Sequence, residues 1–320
     1  MLRHLPVAAA VAGACALALT LLAACGTSET TAIDPEDNRF ADLAMDGAGS
    51  FDVITWNLRY FATDVVDDND PRTTSEIEIA MAAEVIRGLG ADLVAIQEID
   101  SANHFDSLLG QLPGWSGYQP DGYLHLGYVW QDSTVQVSQV FEIYQSEWVA
   151  FPRDPLVLAI SWRGHDLLVI NNHLKCCGDG QIVDGDDDDE EYRRLLACQM
   201  LEEWIRVERP DDPVILLGDL NDRLDDAVER NVFTPFLDRP QSYVFTDMAI
   251  ADGPQADWSY GPGRSHIDHI LVTDELFAAW AAAGAECRTI RIDQVLAGDF
   301  DRQLSDHLPV GLSLPGAALP

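Results

Sequence analysis

Leu216-Leu217-Gly218-Asp219-Leu220-Asn221-Asp222 is the stretch on which the reading of the chain turns. With Pro213-Val214-Ile215 before it, the run is apolar and partly β-branched, and it predicts a buried strand. Gly218 ends that strand where backbone freedom is useful. Asp219 and Asn221 follow with period-two spacing, so in extended backbone they face the same way. A carboxylate and a carboxamide on one side of a strand end are costly beside a core unless they meet a metal, a water or a phosphate. Taken alone, the heptapeptide reads equally well as a turn with an Asx cap.

Working outward, other segments share the pattern of a strand with polar residues at its end. Phe51 to Asn57 alternates and delivers Asn57, with Leu58 and Arg59 behind it. Asp92 to Ile96 is a strand that ends in Gln97-Glu98. Asp166 to Asn172, paired as a hairpin with Pro155 to Trp162 around Arg163-Gly164-His165, runs into His173-Leu174-Lys175. Ser265 to Val272 carries Asp268, and Ser305-Asp306-His307 leads into a last strand from Val310. Further strands are expected over Leu124–Trp130 and Val135–Ile143. Helices are expected over 73–89, with Ile77, Met81, Val85 and Leu89 at helical spacing, over 101–112 capped by Ser101, and over 274–283. A fourth helix is expected over Glu190–Glu208, with Leu195, Leu196, Met200, Trp204 and Val207 on one side. The acidic run Asp184 to Glu191 suits the N-terminus of that helix. A calcium loop there is disfavoured, because the spacing is not that of an EF-hand. Strands and helices alternate without an interior linker, which predicts one α/β domain.

At 320 residues and 47% hydrophobic the chain can build a large core. The balance of 54 acidic against 19 basic residues gives a net charge of −35, which repels nucleic-acid backbone at long range and favours cations. The N-terminus reads as a targeting segment: Arg3 and His4, an apolar Ala-rich run, then Leu22-Ala23-Ala24-Cys25, which resembles a bacterial lipobox. The expected organisation is a lipoprotein signal peptide over 1–24, a flexible tether over 25–50 and a catalytic domain over 51–315. Cys25 would be lipidated, and the protein would be exported and held at the cell envelope by acyl chains, facing the periplasm or exterior. Export permits disulfides. Adjacent cysteines rarely bond to each other, so the expected pairing is Cys176 or Cys177 with Cys198. No Cys-x-x-Cys points to a zinc or redox site.

Strand ends gathered at one edge of an α/β sheet system are where sites are built. Asn57, Glu98 and Asp306 offer hard oxygen donors that suit Mg2+, Mn2+ or Ca2+ better than zinc. A divalent ion so held can take a phosphate oxygen and offset transition-state charge, which implies metal-assisted phosphoryl hydrolysis. Arg59, Lys175 and Arg264 flank the motifs although basic residues are scarce, and arginine can grip phosphate bidentately.

Trp56-Asn57-Leu58-Arg59, Ile96-Gln97-Glu98, Asn172-His173-Leu174, Gly218-Asp219-Leu220-Asn221, Ser265-His266-Ile267-Asp268-His269-Ile270 and Ser305-Asp306-His307-Leu308-Pro309-Val310 together resemble the motif series of the endonuclease/exonuclease/phosphatase superfamily. The resemblance spans Phe51 to Val310. It implies a four-layer αββα sandwich with the site at one edge of two packed sheets. It implies that Asn57 and Glu98 bind the metal and that Asp306 completes or tunes the site. Asp268 would orient His307, and His173 would meet the scissile phosphate or the leaving oxygen. Asp219 would position or deprotonate the attacking water, and Asn221 would hold a phosphate oxygen. Whether Asp219 or His307 is the base stays open at this point. The function implied is a metal-dependent phosphoesterase, a monomer acting on DNA, a phospholipid headgroup or a small phosphoester. The contrasting reading is a non-catalytic adhesin or toxin-like binding subunit on the same scaffold.

Overall fold

Alternation along Phe51 to Asn57 builds the first layer: Val53 turns to one side, while Ile54 and Trp56 turn to the other. The computed structural model describes residues 38–45, 47, 49–63, 74–120, 124–261, 264–296 and 300–320. The expected signal peptide and Cys25 lie outside the described residues. Ala32–Pro320 clusters as one compact unit. No helix among the described residues is long and apolar enough to cross a membrane.

Two six-stranded sheets form the centre. The first comprises β1 (Ser50–Phe61), β2 (Leu93–Ile99), β3 (Trp115–Tyr118), β4 (His125–Gln131), β11 (Glu286–Thr289) and β12 (Val310–Pro315), in the order β11-β12-β1-β2-β4-β3. The second comprises β5 (Val135–Glu142), β6 (Leu156–Trp162), β7 (His165–His173), β8 (Val214–Asp219), β9 (Tyr243–Phe245) and β10 (Asp268–Thr273), in the order β5-β6-β7-β8-β10-β9. Each sheet has one parallel pair at its heart, β1 with β2 and β7 with β8, and antiparallel neighbours outside it. The four central strands therefore send their C-terminal ends to one edge.

Val53, Ala95, Leu158, Val169, Ile215, Leu217 and Leu312 fill the space between the sheets. Helices α1 (Ser75–Leu89) and α2 (Ala102–Leu109) cover the outer face of the first sheet, and α3 (Glu190–Glu208) covers the second. The expected four-layer αββα sandwich is the observed fold. Ser101 caps α2 through the His104 amide at 3.3 Å, and Gly90 ends α1 in left-handed backbone at φ 68°.

Several local expectations change. The fold begins before Phe51, because Phe40 and Met45, within the segment read as tether, sink into the core beneath α1. The helix expected over 274–283 is a 3-10 turn, Asp274–Leu276, followed by the single turn Phe277–Trp280. On α1 the expected Val85 and Leu89 are buried together with Ile79, Ala82, Ala83 and Ile86, whereas Met81 is half-buried and Ile77 is exposed. On α3 the buried face is Arg194, Ala197, Cys198, Leu201 and Ile205, whereas Leu195, Leu196, Met200 and Trp204 are only half-buried and Val207 is exposed. Charged residues misled the pattern there. Arg194 is buried because it is paired with Glu191 at 3.4 Å and Asp222 at 2.8 Å. The four cysteines of the described residues are free thiols. The expected bridge to Cys198 is not made: Cys198 is packed inward from α3, and Cys176 and Cys177 lie exposed on a loop.

Gly218 shows why glycine stands at the end of β8. Its φ is +143°, and a Cβ there would fall on the carbonyl of Asn172 in the neighbouring strand. Gly218→Ala is expected to cost about 3 kcal/mol or more, read as a lowered midpoint in urea unfolding, and an unchanged midpoint would refute this account.

Candidate active site

Register brings the polar strand ends together. Asp219, the last residue of β8, is the pairing partner of both His173 at the end of β7 and Asp268 at the start of β10. Asn57 on β1 pairs with Gln97, immediately before Glu98. The β1 backbone then bulges, with Arg59 and Tyr60 in left-handed conformation, as is Glu98 at φ 64°. This distortion turns the Tyr60 amide onto Glu98 Oε2 at 2.9 Å and the Arg59 amide onto Asn57 Oδ1 at 2.8 Å.

Asp219 is the centre. Its Oδ2 accepts from Asn57 Nδ2 at 2.8 Å, and lies 3.5 Å from His173 Nε2 and 3.8 Å from His307 Nε2. Its Oδ1 accepts from the Asn221 amide at 3.1 Å. Asp268 Oδ2 meets His307 Nδ1 at 2.8 Å. The turn before β12 is latched onto β1: Ser305 Oγ donates to the Asn57 carbonyl, and Trp56 Nε1 donates to the His307 carbonyl. Asp306 reaches the same edge, with Oδ1 4.0 Å from His307 Nε2 and Oδ2 3.9 Å from Arg59 Nη1.

Electrostatics divide these groups. Burial raises the Asp219 carboxyl to about 7, even though His307 pulls the other way. Burial lowers His307, but Asp268 and Asp219 outweigh it and hold the imidazolium up to about 10. His173 stands near two carboxylates, yet full burial, with Arg153 and His307 as cationic neighbours, keeps its pKa well below the usual range. Its contacts to Asp219 and Glu98 are therefore those of a neutral ring. Burial also raises Asp306.

Some expected residues sit differently. Asn57 presents its amide nitrogen to Glu98 and Asp219, which orients both carboxylates, while its oxygen accepts from the Arg59 amide at 2.8 Å and keeps a second lone pair. Asn221 donates to the Leu174 carbonyl and ties two site loops together. Lys175 donates to the Cys176 carbonyl and lies 3.6 Å from Glu190. Arg264 is exposed on the turn next to Gly261, whose amide donates to the Asp306 carbonyl.

Other residues are added. Tyr260 packs on His307 with ring centroids 4.8 Å apart. Arg194 donates to the carbonyls of Lys175 and Cys177 and binds Asp222, clamping the loop after β7 to the loop after β8. Asp247 accepts from His266 at 2.9 Å and His269 at 2.6 Å, and His269 Nε2 reaches the Asp222 carbonyl. The one sequence signal for these was the pair of histidines flanking Asp268.

The donor set fits a hard divalent cation. Glu98, His173 and Asp219 offer ligand atoms within 4.8 Å of one another, as do Asp219, Asp268 and His307, and the Asp306 Oδ1 beside His307 is buried with no hydrogen-bond partner among the described residues.

No curated protein sequence matches the chain significantly. Solved structures do. TDP2 of D. rerio, crystallised with a single-strand DNA product, is 16% identical with a TM-score of 0.58, over 83% of this chain and 98% of that one. An endonuclease/exonuclease/phosphatase from Bacteroides vulgatus is 16% identical with a TM-score of 0.60, over 83% and 98%. The human Nocturnin catalytic domain, with a bound sulfate anion, is 13% identical with a TM-score of 0.57, over 83% and 94%. At these identities the likeness establishes the fold. A sequence model of the Endonuclease/Exonuclease/phosphatase family matches residues 54–307, from the first sheet through the last of the converging histidines, and the chain belongs to that family.

Proposed function

We propose that the protein is a divalent-metal-dependent hydrolase of phosphodiesters, or of phosphomonoesters, that uses an activated water. The observation that carries this reading is the position of Asp219, a buried carboxylate held by Asn57 at 2.8 Å between His173 at 3.5 Å and His307 at 3.8 Å, where burial pushes its pKa up. A general base works best when its pKa lies near the working pH. On this assignment Asp219, rather than His307, takes the proton of the attacking water. His307, kept charged by Asp268, faces the developing negative charge on the phosphoryl oxygens. His173, a neutral ring whose Nε2 lies 3.5 Å from Asp219 and 3.7 Å from Glu98, donates to the substrate or the leaving oxygen. Asn57 fixes the rotamer of Asp219.

Glu98 and Asp306 would hold the cation, Mg2+ first with Mn2+ or Ca2+ as substitutes. Its contribution when bound is to take a phosphate oxygen and offset charge. Chelation by EDTA is expected to reduce hydrolysis of bis-p-nitrophenyl phosphate to background, with recovery on adding Mg2+ or Mn2+. A rate indifferent to EDTA would overturn the metal assignment.

The single-strand DNA product held by the D. rerio TDP2 supports a phosphoester as the ligand. The net charge of −35 argues against long duplex, whose non-specific binding draws on many cationic phosphate contacts. Short single-stranded or small phosphodiesters are the substrates this reading favours. Comparing oligonucleotides, plasmid, phospholipid vesicles and inositol phosphates tests that choice, and faster turnover of plasmid would reverse it. The leader supports an enzyme anchored at the envelope through Cys25. Membrane association lost in Cys25→Ala is the expected result, and unchanged association would remove the anchor.

A further inference from the structure

The loop after β7 carries a feature that this hydrolysis does not use. Cys176 and Cys177 are both exposed, and their sulfurs stand 2.9 Å apart, with the Cys177 S–H donating to Cys176 Sγ. Lys175 Nζ approaches Cys176 Sγ at 3.9 Å. Two donors thus converge on one sulfur. The peptides on either side are held: Arg194, itself buried, binds the carbonyls of Lys175 at 2.7 Å and Cys177 at 2.9 Å. Cys177 is already in left-handed backbone at φ 75°, with glycine following it. The two thiols are therefore presented side by side on a pinned segment, with neither reaching the buried Cys198.

We propose that Cys176 and Cys177 form a redox-active vicinal dithiol that reacts with small-molecule disulfides, Cys176 as the attacking sulfur and Cys177 as the resolving one. The Cys176 sulfur, having given its proton to solvent, attacks a disulfide RS–SR, forming a Cys176–SR bond and releasing one thiolate. That thiolate takes the Cys177 proton. The Cys177 sulfur then attacks the Cys176 sulfur, closing a ring across a single peptide bond and expelling the second thiolate, which is protonated from solvent. The two cysteines are oxidised by two electrons, and the disulfide is reduced to two thiols. The hydrogen bond to Cys176 and partial burial raise the Cys177 thiol, which keeps it protonated until the mixed disulfide has formed and suits it to the second step.

The test uses the native protein, oxidised glutathione as the probe, and alkylation followed by peptide mass analysis. In the wild type, the peptide carrying Cys176-Cys177 is expected to lose two hydrogens, retain no glutathione and resist alkylation. Cys177→Ser is expected to retain one glutathione on Cys176. Cys176→Ser is expected to capture glutathione at Cys177 at least about tenfold more slowly, since the remaining thiol lacks the two converging donors. Glutathione retained on both sulfurs of the wild type would overturn the proposal. So would a bridge from either cysteine to Cys198, no reaction at all, or equal capture rates in the two variants. Because the wild-type mass shift is read without turnover, its failure is independent of the phosphoesterase reading.

Discussion

Asp219→Asn is expected to lower kcat/KM for bis-p-nitrophenyl phosphate by about 10³-fold, within the range that a positioned general base contributes. The substitution keeps the shape of the side chain and removes the proton acceptor. Its effect on stability runs the other way. Burial raises the Asp219 carboxyl from 3.8 to about 7. Below the lower value the group is protonated folded or unfolded, and its burial carries no charge penalty. As pH rises through about 7 the folded protein must hold a buried carboxylate, and that destabilisation becomes complete. The metal-free Asn variant should therefore melt higher than the wild type at pH 8, and the gain should vanish by about pH 4. Calorimetric scans at the two pH values measure this. A variant that keeps more than about a tenth of the activity would remove Asp219 from the base role. One that melts lower than the wild type at pH 8 would show that the buried charge is not a liability.

The second large effect belongs to Asp268. Asp268→Asn is expected to cost about 10²–10³-fold in kcat/KM and to change the pH profile as well as the rate. Burial alone would push His307 down, and Asp268 with Asp219 holds it at about 10. Without Asp268 the imidazolium gives up its proton at lower pH, so the alkaline limb of kcat/KM against pH should move toward neutrality. Stability follows the same sign. A His pKa raised above the unfolded 6.5 adds stability that is fully present below that value and lost as pH rises through about 10. The variant should thus lose more stability at pH 6 than at pH 10. An alkaline limb that stays where it was would show that the dyad does not govern the rate.

Much of this site was legible because strands have period two and end abruptly. Glu98, His173, Asp219 and Asp268 lie at or next to strand ends, Asn57 lies just before the β1 bulge, His307 lies in the turn before β12, and the structure brings all six to one edge. What each contributes there was not legible. Asn57 also donates its amide to Glu98 and Asp219 while its oxygen accepts from the Arg59 amide, a consequence of a bulge that alternation does not signal. Lys175 looked like a phosphate contact by adjacency, yet its partners are Cys176 and Glu190. Tyr260 sits in a loop far from His307 in the chain, and only pairing across that loop stacks it on the ring.

From its sequence alone the chain determines its layers, its strand ends and the residue types delivered to them, because hydrophobic period and glycine placement are local properties of the backbone. Tertiary structure alone decides which face of α3 is buried, which carboxylate is pushed to neutrality, and which imidazole stays charged. These depend on distances between groups far apart in the chain and on the water that packing removes from around them. Asp219 and Asp268 are both Asp at a strand end, but burial among like charges leaves the first near neutrality, while a 2.8 Å contact commits the second to His307.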